Sequence, residues 1–238
     1  DYWTSIHRPI VAFDRVLGEG IPSVGSDHEQ GGRLIADLLI RTGARHVVMI
    51  GGPRDQFFDL AARGEVEDVF DLEKTTFPTV RYYLTLEQEL MKAGIRYEYV
   101  EAGEVMDFDG YRRAVGETLD RVGPDGVDAV VSSDIGASFC VREALRRGIA
   151  IPQDLQIVAY DGTYLTDLAG MKTTAVVQDF VAITQTVADH ITQAIADEDA
   201  AAAKASLRKD DNPFEPSVLI PVTLALGDTT RAVSAAAD

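Results

Sequence analysis

Residues 129–161, which read AVVSSDIGASFCVREALRRGIAIPQDLQIVAYD, decide the fold class of this chain. The β-branched run at 129–132 predicts a buried strand, and the helical period over 136–147 predicts a helix that Gly148 closes. A second apolar run at 155–160 predicts the next strand. Because a strand, a helix and a strand in this order form a βαβ unit, the stretch predicts a parallel sheet.

The same alternation extends over most of the chain. Strands are also predicted at 9–13, 21–24, 46–50, 97–102, 174–177 and 217–224, and helices between Asp27 and Gly43 and at 79–93, 109–122 and 180–195. Residues 54–79 are the least regular part and are interpreted as an irregular insertion. The pattern as a whole predicts an α/β fold in which helices cover both faces of parallel sheets.

Two strands of similar sequence lie 147 positions apart. Ile10-Val11-Ala12-Phe13-Asp14 and Ile157-Val158-Ala159-Tyr160-Asp161 each place an aspartate just after a predicted buried strand. Chance similarity between two Val/Ile/Ala runs is one explanation, since such runs are common in parallel sheets. The other is a chain built from two similar sheets that each offer a carboxylate to one ligand.

Composition narrows the classes of protein to be considered. The 22 Lys and Arg against 39 Asp and Glu give a formal net charge of −17, which argues against a nucleic-acid-binding surface along the chain. The single cysteine, Cys140, excludes an intrachain disulfide and favours a cytoplasmic protein. No apolar run approaches the roughly 18 residues of a membrane helix, so no membrane partner is predicted. The start at Asp1 shows neither an initiator methionine nor a signal peptide and is interpreted as a cut end.

Candidate ligand-binding residues follow the predicted strands. Ligands of open α/β sheets bind outside the carboxyl ends of the strands, where this sequence has Asp14, the turn 51–53, Ser133 with Asp134, and Asp161. Carboxylates accept hydrogen bonds from vicinal hydroxyls, so this set favours a polyhydroxylated ligand over a phosphate. A turn or N-cap role is the structural alternative for each aspartate.

Two further residues could reach the same ligand. Arg81 is placed just before a predicted helix, where its guanidinium could donate two hydrogen bonds to ligand oxygens. Phe180 stands near a predicted strand-to-helix junction, where its ring could stack on the apolar face of a sugar. An exposed surface arginine and a core phenylalanine are the alternatives.

No enzyme signature is found in the sequence. His7, His28, His46 and His190 have no metal-ligand spacing, and neither a nucleophile elbow nor a phosphate loop occurs. The pair of acids in 107–110 is interpreted as a helix N-cap, and Cys140 as a core residue. The sequence therefore predicts a protein without catalytic residues, metal or cofactor.

Taken together, these segments resemble the effector-binding core of the lac repressor family of bacterial transcription regulators, which is related to periplasmic sugar-binding proteins. The resemblance is carried by residues 8–15, 24–32, 38–43, 46–53, 110–111, 128–137, 148–155, 157–161, 173–180 and 217–230. It implies two flavodoxin-like parallel-sheet subdomains of periplasmic-binding-protein type joined by crossing strands, with the effector in the cleft between them. It also implies a homodimer.

The resemblance implies the subdomain limits as well. Residues 1–25 and 178–215 would form the N-terminal subdomain, incomplete in this chain, and 27–176 with 217–231 the C-terminal subdomain, followed by a tail at 232–238. The positions that match the family's effector contacts or their neighbours are Asp14, Arg81, Ser133, Asp134, Asp161 and Phe180. Ser133 stands where the family usually has asparagine, and Gly162 where it usually has a second aspartate.

The expected function is that of an effector-sensing domain of a transcription regulator. A sugar or sugar derivative would bind in the cleft, and operator DNA would be bound through a headpiece that is not present in this sequence. A periplasmic sugar-binding protein of a transporter is the alternative that shares the fold, although the ending at 218–230 resembles the regulators more. A third alternative is an α/β enzyme that acts on a small polar substrate, but the sequence offers no general acid or nucleophile for it.

Overall fold

The computed structural model describes residues 9–17, 21–53, 78–104, 106–196 and 218–233. Nine strands are β1 Ala12–Phe13, β2 Ser23–Ser26, β3 His46–Gly51, β4 Arg96–Glu101, β5 Ala129–Ser133, β6 Gln156–Asp161, β7 Thr174–Val177, β8 Val218–Ile220 and β9 Thr223–Ala225 in this part of the chain. Its helices are α1 His28–Arg41, α2 Pro78–Lys92, α3 Phe108–Leu119, α4 Asp134–Arg147 and α5 Phe180–Ala196, with a short 3-10 helix at Tyr164–Asp167.

The chain divides into two compact units, of which the first is the smaller. Its described residues are 9–17, 21–30, 78–82, 178–196 and 218–222. They contain a three-stranded parallel sheet with the strand order β1-β2-β8, in which Val24 pairs with both Phe13 and Val218. Helix α5 packs against β1 and β2.

The second unit contains a six-stranded sheet with the order β4-β3-β5-β6-β7-β9. The first five strands are parallel and have the order of a flavodoxin-like doubly wound sheet, whereas β9 pairs with β7 in the antiparallel direction. All six residues of β3 are buried, so this strand is covered on both faces, as the apolar run at 47–50 predicts. The α/β class predicted from the sequence is confirmed.

Local sequence signals set the ends of the helices. Ser133 caps α4, and Gly148 ends it in the left-handed conformation with φ 72°. The Asp27 carboxylate accepts the backbone N–H of Gln30 at 2.8 Å at the start of α1. Asp107 caps α3, because its Oδ1 accepts the N–H of Gly110 at 2.8 Å. The interpretation of residues 107–110 as a helix N-cap is confirmed.

The predicted strand at 217–224 is wrong as a single element. The structure has two short strands, β8 in the sheet of the first unit and β9 in the sheet of the second. Pro221 lies between them and has no N–H to donate to a ladder, so pairing stops there. The predicted strand at 9–13 is also shorter, since only Ala12–Phe13 pairs.

Several predictions fall on parts of the chain that are not described. They concern residues 54–77 of the predicted insertion, most of the predicted tail at 232–238, and the first subdomain segments at 1–8 and 197–215. Among the described residues, no helix has the length and apolar character needed to cross a bilayer. Within the same residues, no three His, Cys, Asp or Glu side chains are grouped to hold a metal ion.

The C-terminal segment is tied to the second unit by buried polar contacts. The Thr229 hydroxyl donates to the carbonyl of Ile157 at 2.6 Å and accepts the N–H of Thr174 at 2.9 Å. Arg231 reaches the Asp128 carboxylate, with Nη1 at 3.3 Å from Oδ2. These contacts hold the end of the described chain against β6 and β7.

Cys140 lies in the core between the sheet and helices α3 and α4. The side chain is fully buried, and burial raises the pKa of the Cys140 thiol to about 12. A thiol kept protonated in this way is a poor nucleophile. The interpretation of Cys140 as a core residue is confirmed.

Candidate functional site

The polar residues of the second unit gather where β3, β5 and β6 end. Strand order reverses between β3 and β5, and in sheets of this order the ligand site lies at that point. The Ser132 hydroxyl donates to the Ile50 carbonyl at 2.7 Å across these two strands. At Gly51 an added Cβ would lie 2.3 Å from the Tyr99 hydroxyl, so Tyr99 approaches the backbone here closely because this residue is glycine.

Ser133 is the last residue of β5 and belongs to the helix cap. Its Oγ accepts the N–H of Gly136 at 3.5 Å, and its side chain also hydrogen-bonds Tyr111. Burial raises the pKa of the Tyr111 phenol, the contact with Ser133 opposes this, and the negative charge of Asp161 raises the pKa further. The Tyr111 phenol is therefore hydrogen-bonded to Ser133 and also feels the negative charge of Asp161.

Asp134 is a buried carboxylate whose two oxygens both face backbone. Oδ1 accepts the N–H of Gly162 at 3.1 Å, and Oδ2 accepts the N–H of Thr163 at 2.6 Å. Only 3% of the residue is exposed, and burial raises the pKa of the Asp134 carboxyl although these hydrogen bonds lower it. Asp134 ties the turn after β6 to the start of α4.

Asp161 ends β6 in a conformation that residues with side chains rarely adopt. Its φ is 105°, and it pairs in register with Val177 of β7. Gly162 follows with φ 66°, and a Cβ there would lie 2.5 Å from Cγ2 of Val177. Position 162 therefore requires glycine, whereas position 161 carries an aspartate although its backbone conformation is strained.

Asp14 holds the matching position after β1 in the first unit. It also has a positive φ, 54°. Its Oδ1 accepts the N–H of Ser26 at 3.1 Å and lies 2.8 Å from Nε2 of the buried His28. The two similar sequences at 10–14 and 157–161 thus end in the same way, each with an aspartate in an unusual backbone conformation.

Arg81 and Phe180 belong to the first unit as well. Arg81 lies inside α2, which agrees with the helix predicted at 79–93, so the placement of Arg81 before that helix was wrong. Its Nη1 donates to Oε1 of Glu29 at 2.9 Å, and the residue is only 6% exposed. Phe180 is the first residue of α5 and is 41% exposed, so it is not a core phenylalanine.

The structure thus brings Ser133, Asp134 and Asp161 together in one unit and places Asp14, Arg81 and Phe180 in the other. Sequence reasoning missed three partners of these residues, namely His28, Glu29 and Tyr111. His28 and Glu29 directly follow the helix cap at Asp27, but nothing in their local pattern shows what they contact. Such pairings depend on residues distant in sequence and appear only in the folded chain.

A known protein family matches most of this chain. The family of periplasmic binding protein-like domains matches residues 36–230. The chain belongs to this family. The match includes Arg81, Ser133, Asp134, Asp161 and Phe180 and begins after Asp14.

Named relatives agree with the resemblance stated from the sequence. The sucrose operon repressor of Streptococcus mutans is 28% identical over 167 residues, which are 70% of this chain and 44% of the repressor. The ribose operon repressor of Bacillus subtilis is 28% identical over 160 residues, 67% of this chain and 42% of that protein. The resemblance to the lac repressor family is confirmed, and the chain spans less than half the length of these relatives.

A solved structure supports the fold. The periplasmic binding protein/LacI transcriptional regulator from Alkaliphilus metalliredigens, in complex with D-xylulofuranose, superposes with a TM-score of 0.68 at 20% identity. The superposition covers 97% of this chain and 73% of that one. The fold of periplasmic-binding-protein type predicted from the sequence is confirmed.

Proposed function

We propose that this chain is the effector-sensing domain of a transcription regulator and that its effector is a sugar or sugar derivative. The family and the named repressors of sucrose and ribose operons support the regulatory role. These relatives are repressors, which favours a regulator over the receptor of a transporter. The carboxylates and hydroxyls at the strand ends are the acceptors and donors that sugar hydroxyls need.

The observation that carries the proposal is the conformation of Asp161. A residue with a side chain at φ 105° costs about 1–3 kcal/mol and persists where the surrounding contacts enforce it, commonly at ligand sites. Asp161 lies at the carboxyl end of β6, and its negative charge raises the pKa of the Tyr111 phenol. Asp14, Arg81 and Phe180 of the first unit are proposed as further effector contacts, and Asp14 repeats the positive φ.

Operator DNA is the proposed partner of the intact regulator. The chain itself carries a formal charge of −17, which the phosphate backbone repels. We therefore propose that DNA is bound through a headpiece outside these 238 residues. The effector would change DNA affinity only by binding one arrangement of the regulator more tightly than another.

Replacing Asp161 by alanine tests the sensing role. We expect at least tenfold weaker binding of the effector, because about 1.5–3 kcal/mol is lost with each hydrogen bond to a charged group. Calorimetric titration with sucrose, D-ribose and D-xylulose measures the affinity, and circular dichroism shows that the variant stays folded. Asp154→Ala is the matched control, because Asp154 is an exposed carboxylate just before the same strand. Unchanged affinity in Asp161→Ala, or no binding of any of these sugars by the native chain, would contradict the proposal.

A homodimer is the proposed assembly. Exposed apolar side chains occur near the start of α3 and around the 3-10 helix, where Tyr164 is 76% and Leu168 71% exposed. Phe108 of α3 contacts Phe139 of α4 with ring centroids 6.0 Å apart, and the 3-10 helix also contacts α4, so these side chains belong to elements that pack against one helix. Exposed apolar surface of this kind commonly marks a protein–protein interface.

Leu168→Asp tests the proposed interface. Sedimentation equilibrium is expected to give a dimer for the native chain and a monomer for the variant, because a buried, unpaired charge is costly. Met91→Asp is the control, since Met91 is similarly exposed at the end of α2. If Leu168→Asp remained a dimer, the interface would lie elsewhere. If the native chain were a monomer, the proposed homodimer would be wrong.

A further inference from the structure

The turn after β6 contains two consecutive residues with positive φ. Asp161 has φ 105° and Gly162 has φ 66°. Glycine accepts such a conformation without strain, whereas aspartate at 105° does not. Contacts outside the turn must therefore offset the strain at Asp161 and hold its carboxylate in place.

Asp134, the first residue of α4, supplies those contacts from a position 28 residues before Gly162. Its carboxylate accepts the N–H of Gly162 and of Thr163, at 3.1 and 2.6 Å, and the Thr163 side chain hydrogen-bonds it as well. Hydrogen bonds to an ionised acceptor are the strong ones among protein hydrogen bonds. The two residues that follow Asp161 are thus fixed on α4.

The opposite side of the turn is fixed by packing. A Cβ at Gly162 would lie 2.7 Å from the Cα of Val177, so the turn lies directly on β7. The backbone of residues 161–163 is held between Asp134 on one side and β7 on the other. These contacts fix the backbone of Asp161 and with it the direction of its Cα–Cβ bond.

We propose that Asp134 is a positioning residue that orients the Asp161 carboxylate for the effector without contacting the effector itself. This reassigns Asp134, which sequence reasoning treated as an effector contact, and it rests on the proposed function of Asp161. Both carboxylate oxygens already accept backbone N–H groups, and the side chain is 3% exposed. A preoriented acceptor binds a ligand more tightly because less conformational freedom is lost on binding.

A double-mutant cycle in effector affinity tests the proposal. D134N keeps the side-chain shape but replaces one acceptor oxygen with an NH2 group that faces a backbone N–H. We expect the sugar that binds best among sucrose, D-ribose and D-xylulose to bind D134N about tenfold more weakly. In a D161A background the same change should have no further effect, because Asp134 acts through Asp161. D125N is the control, since Asp125 is exposed.

A second measurement needs no ligand. The three-bond coupling between the amide and α protons of residue 161 reports its φ, and D134N is expected to change it while D125N does not. Native affinity in D134N, an equal loss of affinity in the D161A background, or an unchanged coupling would each overturn the positioning role. If the native chain binds none of the three sugars, the proposed function fails and the coupling alone decides the role of Asp134.

Discussion

Gly110→Ala is expected to destabilise the chain by about 3 kcal/mol, at the upper end of overpacking effects. Gly110 lies in the first turn of α3, where an added Cβ would be 1.8 Å from the carbonyl oxygen of Ala102 and 2.6 Å from Oδ2 of Asp107. Neither atom can withdraw easily, because one is backbone and the other belongs to the helix cap. The sign of the change in unfolding free energy is informative, since glycine to alanine in a helix where the added Cβ meets no other atom stabilises by about 1 kcal/mol.

Urea unfolding followed by circular dichroism measures this free energy. Gly123→Ala is the matched control, because among the described residues no heavy atom lies within 4 Å of the position of its added Cβ. Its stability should stay within about 0.5 kcal/mol of the native chain. If Gly110→Ala proved as stable as Gly123→Ala, the close packing of α3 on the end of β4 would be wrong.

Asp128→Ala is expected to cost about 3–5 kcal/mol, as is usual when one partner of a buried ionic cluster is removed. Asp128 is 1% exposed and precedes β5. Its Oδ1 accepts the backbone N–H groups of Arg45 and His46, both at 2.9 Å, and its Oδ2 lies 3.3 Å from Nη1 of Arg231. The substitution leaves the two backbone N–H groups without their acceptor and removes the ion pair of Arg231 from the contacts of the C-terminal segment.

Thermal and urea unfolding of Asp128→Ala and Asp125→Ala test this expectation. Asp125 is an exposed aspartate three residues away, so its replacement should have little effect. Hydrogen exchange at the amides of Arg45 and His46 should accelerate only in Asp128→Ala. Equal stability of the two variants would show that the Asp128 cluster contributes no net stability.

Helices and central strands were largely predictable because local signals define them. Gly148 and Asp107 mark helix ends through their own backbone and side-chain chemistry, so the limits of α3 and α4 differ from the predicted ones by only a few residues. The prediction of a single C-terminal strand was wrong for the opposite reason. Its apolar pattern continues past Pro221, but which sheet each half joins depends on strands far away in sequence.

The candidate site was predictable in its residue types and less so in their roles. The positions of Asp14 and Asp161 follow from the end of a strand and from the order of strands in a parallel sheet. The role of Asp134 does not, because its hydrogen-bond partners lie 28 and 29 residues later. Burial of Arg81 against Glu29, 52 residues earlier, is likewise a contact that no local pattern reports.

The sequence by itself determined the α/β class, the family resemblance and the set of polar residues at strand ends. These depend on short-range periodicity and on turn and cap chemistry, which each segment carries on its own. Only the tertiary structure decided that Asp161 takes a positive φ and that both carboxylate oxygens of Asp134 accept the N–H groups of the two residues after Asp161. It also decided that Asp128 joins β3 to the C-terminal segment. The physical reason is that burial, strain and hydrogen-bond partnership are properties of residues brought together by the fold, and no single segment contains both partners.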